Sequence, residues 1–210
     1  MENNTESILN FNRLLKADLI ESLRKYRNDY PQEKDAGVVL DFINSTDNLF
    51  GRDSRPGHIT CSAWVLNAEL SEVVLVKHQR LNRWIQPGGH IEPLETPLEG
   101  ACREGLEETG VQGLISWRED LFHVSAHEFP IGKDGPAHFH YDLRYLFIAP
   151  PEAELIKTDE TDGVHWVSLD RIREYTEEAT IVDMTEKTKN LIEAGTIASG
   201  AKFFPAESGT

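Results

Sequence analysis

Three acidic residues of this sequence are spaced so that a helix would hold them on one face. Glu104, Glu107 and Glu108 fall within an arc of roughly 100° at 3.6 residues per turn. Carboxylates that close repel one another unless a cation lies among them. Their oxygen atoms suit Mg²⁺ or Mn²⁺, which bridge to substrate phosphates. A solvated acidic face is the alternative, but the glycine pair Gly88-Gly89 in the loop before the helix favours a functional site.

The ends of this helix are also marked in the sequence. Thr96 is a good N-cap, Pro97 suits the first helical position, and Glu99 completes a capping box. Gly110 fits the left-handed residue just past the end. The opposite face is small and mostly apolar and is expected to face the core; it holds Leu98, Ala101, Cys102, Gly105, Leu106 and Thr109.

The acidic helix is part of a longer pattern. Gly89 is followed after five residues by Glu95, and after seven more by Arg103-Glu104-x-x-Glu107-Glu108-x-Gly110-Val111. This segment resembles the Nudix box of the Nudix hydrolase superfamily. The family usually has an aliphatic residue where this chain has Gly105. A glycine there costs about 1 kcal/mol of helix propensity but lets the helix lie closer to its sheet, so we interpret it as a packing variation.

The resemblance implies a fold, an activity and roles for individual residues. The fold would be α/β, an α/β/α sandwich with a mixed central sheet, the box helix on one face and the C-terminal helix on the other. The activity would be Mg²⁺-dependent hydrolysis (Mn²⁺ could replace Mg²⁺) of a nucleoside diphosphate linked to another moiety. The metal ligands would be Glu104, Glu107 and Glu108, with the Gly88 or Gly89 carbonyl nearby. Arg103 would orient them, and the general base would be Glu104 or, as second choice, Glu160, with Asp159 and Asp162 as alternatives in that loop.

Four basic residues are candidates for binding the substrate. Arg80 and Arg83 lie in a basic loop, and His90 follows the glycine pair. Arg144 lies in the strand 138–147, where alternation predicts a polar face of His138, His140, Asp142 and Arg144. That face indicates either a half-exposed strand with a wet side or a polar wall of the substrate cleft. The two histidines resemble a zinc pair, but no third and fourth ligand is evident, so no zinc site is expected.

Composition limits the partners of the protein. Asp and Glu number 36 against 21 Lys and Arg, a formal net charge of −15. Nucleic acids and anionic membranes need a basic surface, so neither is an expected partner. No apolar run is long enough to cross a bilayer, and the first residues do not resemble a signal peptide. Cys61 and Cys102 are expected to be buried free thiols, which predicts a cytoplasmic protein.

The order of elements predicts three segments. Residues 1–56 would form a helical extension and linker, 57–195 the Nudix domain, and 196–210 a flexible tail. Helices are expected at 6–27, around 38–43 and 180–195 with a short one at 168–175, and strands at 60–66, 72–78, 112–117, 121–129, 138–147 and 164–167. The extension could cap the active site, mediate a homodimer or complete the core.

Two other functions stay open at this point. The domain could sense a nucleotide without turnover, although a binder does not need all the box carboxylates. It could also resemble isopentenyl-diphosphate isomerase, but nothing marks Cys61 or Cys102 for that chemistry. No motif outside the box indicates which nucleoside diphosphate derivative is the substrate.

Overall fold

Four α-helices and one 3-10 turn lie in the part of the chain that the computed structural model describes. It describes residues 2–129, 131, 136–159 and 161–198, with residues 2–7 and 9 described by their backbone alone. The helices are α1 (Glu2–Asp29), α2 (Asp35–Ser45), α3 (Pro97–Thr109) and α4 (Ala179–Glu193), and the 3-10 turn is Ile172–Glu174. Helices α1 and α2 confirm the predicted helical extension. None of the described helices is long and apolar enough to span a bilayer.

The described strands form one sheet. They are β1 (Gly57–Leu66), β2 (Glu72–His78), β3 (Arg83–Ile85), β4 (Gly88–His90), β5 (Ile115–Ser116), β6 (His123–Phe129), β7 (His138–Ile148) and β8 (Thr161–Ser168). The order along the main path is β3-β2-β1-β7-β5, while β4 pairs with β1, β6 with β7 and β8 with β2. The strand predicted at 112–117 is therefore much shorter than expected.

Strands β1 and β7 run parallel. The Phe139 N–H donates to the Pro56 carbonyl (2.9 Å) near the start of both strands, and the Ala149 N–H donates to the Leu66 carbonyl (2.8 Å) near both ends. Partners whose numbers rise together define a parallel pair. Strand β2 is antiparallel to β1, β3 and β8, and β7 is antiparallel to β5 and β6. The mixed sheet and the α/β class are thus confirmed.

Residue contacts divide the chain into two compact units. The first consists of Met1–Cys61, His90–Gly100 and Asp120–Arg144. The second consists of Ser62–Gly89, Ala101–Glu119 and Tyr145–Thr210. The predicted segment bounds stay a prediction, and of the segment 196–210 the structure describes residues 196–198.

In the second unit, helices α3 and α4 pack on opposite faces of β1. Gly105 of α3 lies so close to the strand that a Cβ built on it would be 3.2 Å from the Ala63 Cβ. Successive strand residues point to opposite faces, and the Trp64 indole N–H accordingly donates to Thr188 Oγ1 of α4 (2.9 Å). This is the arrangement expected of an α/β/α sandwich, and it confirms the close packing inferred for Gly105.

In the first unit, α1 and α2 complete the core. The Phe42 ring of α2 stacks on Tyr141 of β7, with centroids 4.0 Å apart. At the start of α2, the Asp35 carboxylate accepts the Ala126 N–H of β6 (2.9 Å). The buried apolar residues of the two helices are Leu15, Leu19, Leu23, Tyr26, Ala36, Val39, Leu40, Phe42 and Ile43. The sequence left three roles open for the extension, and these contacts show that it fills one of them, because its helices complete the core.

The two cysteines differ in burial. Cys61 of β1 is buried, but Cys102 of α3 is only half-buried, so the expectation of two buried thiols is wrong for Cys102. The reason is its place at the edge of the apolar face of α3, next to Arg103. Even this partial burial raises the pKa of the Cys102 thiol.

Candidate functional site

Helix α3, which carries the acidic face, begins and ends where the sequence predicts. Thr96 Oγ1 accepts the Glu99 N–H (3.3 Å), and the Thr96 N–H donates to the Glu99 carboxylate (2.8 Å). These two bonds complete the capping box. At the other end Gly110 has a φ of 74°, a left-handed conformation that glycine adopts readily. The two caps therefore account for where α3 begins and ends.

The glycine pair of β4 lies against two of the box glutamates. The Gly88 N–H donates to Glu108 Oε2 (2.9 Å). A Cβ built on Gly89 would be 2.4 Å from Glu104 Oε1, so the backbone reaches this close to the carboxylate only because residue 89 has no side chain. The structure therefore brings together four of the predicted site residues.

Arg103 joins the remaining glutamate to this group. Its Nη1 donates to Glu104 Oε1 and to Glu107 Oε2, each at 2.9 Å. The bond to Glu107 is the i,i+4 contact that the sequence predicts. One guanidinium among three carboxylates leaves this face with an excess of negative charge. That excess attracts a cation. Because 44% of the Glu107 side chain is exposed, a cation can also reach the face from solvent.

The donor set of this face fits a hard divalent cation. Carboxylate oxygens of Glu104, Glu107 and Glu108 and the carbonyls of the glycine pair are the ligands that Mg²⁺ and Mn²⁺ prefer. Within the described residues these three carboxylates do not all lie within 4.8 Å of one another. Mg²⁺ usually keeps several waters and takes one or two carboxylates directly, so it does not need all three of them within that distance.

Two of the three arginines predicted to bind the substrate, Arg80 and Arg83, are exposed. Arg83 donates to the Glu178 carboxylate (2.7 Å), and 59% of its side chain is exposed. Arg80 is exposed as well, and its backbone N–H donates to His78 Nδ1 (3.2 Å). Both side chains can therefore contact a solute from solvent.

Arg144, in contrast, is buried. Its Nε donates to Asp142 Oδ2 (2.6 Å), and 3% of its side chain is exposed. Thr60 Oγ1 donates to the other oxygen of Asp142 (3.1 Å). Strand β7 is buried from Tyr141 to its end, so it is not the half-exposed strand that its alternation indicates. The physical reason is that its polar side chains satisfy one another inside the protein.

The acidic loop before β8 contains the second candidate for the general base, Glu160, which lies outside the described residues. Of its alternatives, Asp159 accepts the Gln79 side-chain N–H through its backbone carbonyl (2.9 Å). Asp162 is exposed on β8.

An aromatic group in the second unit was not predicted from the sequence. The Trp84 ring centroid lies 5.0 Å from that of His165 and 5.6 Å from that of Tyr175. The feature of the sequence that could have indicated this group is Trp84, which lies shortly before the glycine pair. Flat rings of this kind can stack on a nucleobase.

The N-terminal extension also lines a cleft. In the first unit, a cleft of about 300 Å³ lies among Ile8 and Asn12 of α1, Arg52 of the following loop, and Glu92 and Glu95. That the extension caps the active site stays a prediction.

His90 lies among other histidines of the first unit, with its ring centroid 5.0 Å from that of His58. The expectation that His138 and His140 lack a third partner is wrong. Ring nitrogens of His58, His138 and His140 all lie within 4.8 Å of one another. Burial is the main cause that lowers the pKa of His58 to about 4 and that of His140 to about 3, so both rings are neutral near pH 7.

Comparisons with known proteins agree with this geometry. The NUDIX domain matches residues 56–187. A "Probable DHNTP pyrophosphohydrolase" of Lactococcus lactis subsp. cremoris is 29% identical over 141 residues, which cover 66% of this chain and 82% of that protein. The "m7GpppN-mRNA hydrolase NUDT17" of Bos taurus is 37% identical over 76 residues, which cover 35% of this chain and 25% of that protein.

A solved structure has the same fold. The crystal structure of a NUDIX-family hydrolase from Clostridium perfringens matches with a TM-score of 0.51 at 23% identity, over 64% of this chain and 97% of that one. Because the domain match alone spans more than half of the sequence, the chain belongs to the Nudix hydrolase family.

Proposed function

We propose that this protein is a Mg²⁺-dependent hydrolase, with Mn²⁺ as an alternative ion, that cleaves a nucleoside diphosphate linked to another moiety. The observation that carries this proposal is the contact of Gly88 and Gly89 with Glu108 and Glu104. It positions two carboxylates beside a backbone segment that has no side chains to block a diphosphate.

Glu104, Glu107 and Glu108 would hold the metal, with the Gly88 or Gly89 carbonyl as a further ligand. Bound Mg²⁺ would neutralise the diphosphate and lower the pKa of the attacking water. Such neutralisation matters here because a chain with a net charge of −15 repels polyphosphates.

Glu104 is the first candidate for the general base, and Glu160 is the second. The base takes a proton from a water whose oxygen attacks one phosphorus atom of the diphosphate. The bond between that phosphorus and the bridging oxygen breaks, and the bridging oxygen leaves with the other phosphate fragment. Glu104 suits this role because Gly89 and Arg103 hold its carboxylate in a site where 13% of the side chain stays exposed.

Arg103 is a positioning residue, since it bridges Glu104 and Glu107. We assign phosphate binding to Arg80 and Arg83, whose side chains are exposed. The Trp84 group is a candidate for stacking on the nucleobase. His90 and Arg144 lie in the first unit, where Asp142 already binds Arg144 and His58 lies against His90.

A panel of nucleoside diphosphate derivatives, to which isopentenyl diphosphate is added, tests the activity. Each compound is incubated with the full chain and Mg²⁺, and the released phosphates are separated and quantified. We expect cleavage of at least one compound at its diphosphate, and loss of cleavage when EDTA removes the divalent ion.

Two results would contradict the proposal. Tight binding of a nucleotide without any product would indicate a sensing module. Allylic rearrangement of isopentenyl diphosphate, with no phosphate released, would indicate an isomerase.

A further inference from the structure

Five of the eight histidines of the chain gather in one part of the first unit. His58 of β1 lies centrally, with ring centroids of His90, His138 and His140 at 5.0, 5.0 and 4.9 Å from its own. His127 of β6 faces His140, with centroids 5.8 Å apart. The Nudix box contributes none of these side chains except His90, which directly follows Gly89.

Three of these rings already lie near the spacing of metal ligands. One ring nitrogen each of His58, His138 and His140 falls within 4.8 Å of the others. His138 Nε2 and His140 Nε2 are 3.1 Å apart. Two nitrogens bound tetrahedrally to zinc at 2.0–2.1 Å would be about 3.3–3.4 Å apart. Small ring rotations would therefore bring this pair to coordinating geometry.

The tautomer of His138 also suits a ligand. Its Nδ1 lies 2.9 Å from the Pro136 carbonyl, and a carbonyl can only accept, so Nδ1 carries the hydrogen. The His138 Nε2 that faces His140 consequently carries a lone pair, which accepts the His140 Nε2–H here and which a metal ion could bind in its place. A carbonyl that accepts the other ring N–H is the usual support of a metal-binding histidine, because it fixes the ring and raises its basicity.

His58 supplies the second, independent observation. Its side chain is fully buried, and neither ring nitrogen has a hydrogen-bond partner among the described residues. Buried polar atoms are almost always paired, so an unpaired ring in the centre of a histidine cluster calls for a ligand. A metal ion would satisfy one of its nitrogens.

We infer that His58, His138 and His140 form a binding site for a first-row transition-metal ion such as Zn²⁺. Imidazole nitrogens suit zinc, nickel and copper, whereas Mg²⁺ prefers oxygen, so this site differs in chemistry from the glutamates of α3. Three histidines leave a fourth position for water or for His90. Bound metal would join the first residues of β1 and β7 and raise the thermal stability of the chain.

Zinc binding tests the inference. The full chain is freed of metal with a chelator and titrated with Zn²⁺ in a calorimeter, in a buffer that holds excess Mg²⁺ to compete at oxygen ligands. We expect one zinc ion per chain, a higher melting temperature with zinc, and the visible absorption of tetrahedral Co²⁺ when cobalt replaces zinc. His138→Ala and His140→Ala should each lower zinc affinity by at least about 100-fold, the upper range for loss of a residue that merely supports a ligand.

Two variants make the test specific. His165→Ala removes an exposed histidine of β8 and should keep the parent affinity. Glu108→Gln should keep it too, which separates this site from the proposed catalytic one. A substitution at the buried His138 can prevent folding, which circular dichroism would show. His140 is only half-buried, so His140→Gln then provides the test. A parent chain that binds no zinc, or His140 variants that fold and bind it like the parent, overturn the inference.

Discussion

Replacing Gly89 by alanine tests whether the position of the Glu104 carboxylate matters for catalysis. The new Cβ would lie 2.4 Å from Glu104 Oε1 and 2.7 Å from Oε2. Non-bonded atoms need about 3.5 Å, so the carboxylate must move by roughly 1 Å. A displacement of that size at a reacting group can lower the rate about 100-fold. We expect kcat/KM to fall by that factor with the best substrate of the panel.

The same substitution should leave the fold intact. Gly89 does not have a left-handed φ, and the atoms in the way belong to the end of a flexible side chain. Alanine also loses less conformational freedom on folding than glycine, by about 0.4–1 kcal/mol. Urea denaturation should therefore give a free energy of unfolding within about 1 kcal/mol of the parent.

Gly37→Ala is the matched control. Gly37 lies inside α2, and a Cβ there would meet nothing within 4 Å. This variant should gain up to about 1 kcal/mol from helix propensity at unchanged kcat/KM. The double variant Gly89→Ala with Glu104→Gln should be no slower than Glu104→Gln alone, because both changes act through one group. The assigned role of Glu104 would be refuted if Gly89→Ala kept the parent kcat/KM. It would also be refuted if the double variant lost kcat/KM by the product of the two single losses.

Three further predictions concern α3 and α4. Glu108→Gln should lower kcat about 100-fold or more. Its melting temperature should stay that of the parent, because the amide oxygen of the new side chain can still accept the Gly88 N–H. Hydrolysis at the parent rate would show that the metal assignment is wrong. Gly105→Leu should destabilise the chain by about 1–3 kcal/mol in urea with unchanged Mn²⁺ affinity by calorimetry, and the reverse pattern would contradict its packing role. Thr188→Val should lower the free energy of unfolding by about 1–3 kcal/mol, because the buried Trp64 indole N–H loses its acceptor; an unchanged urea midpoint would argue against that bond.

Local sequence signals are enough to predict the box helix and its acidic face. Thr96, Glu99 and Gly110 mark the ends through contacts that span at most four residues, and the structure reproduces them. The bond from Arg103 to Glu107 follows from the same helical periodicity. Such features are predictable because residues that are close in sequence are necessarily close in a helix.

The contacts between distant segments could be seen only in the folded chain. Alternation placed Arg144 and Asp142 on a polar face of β7, but it could not show that the two pair in the protein interior, where Thr60 of β1 also binds Asp142. Nor could spacing place His58 beside His138, because the parallel pairing of β1 and β7 is a long-range contact. The physical reason is that the strand period reports which residues share a face, whereas the neighbouring strand determines whether that face meets water, a partner charge or a ligand.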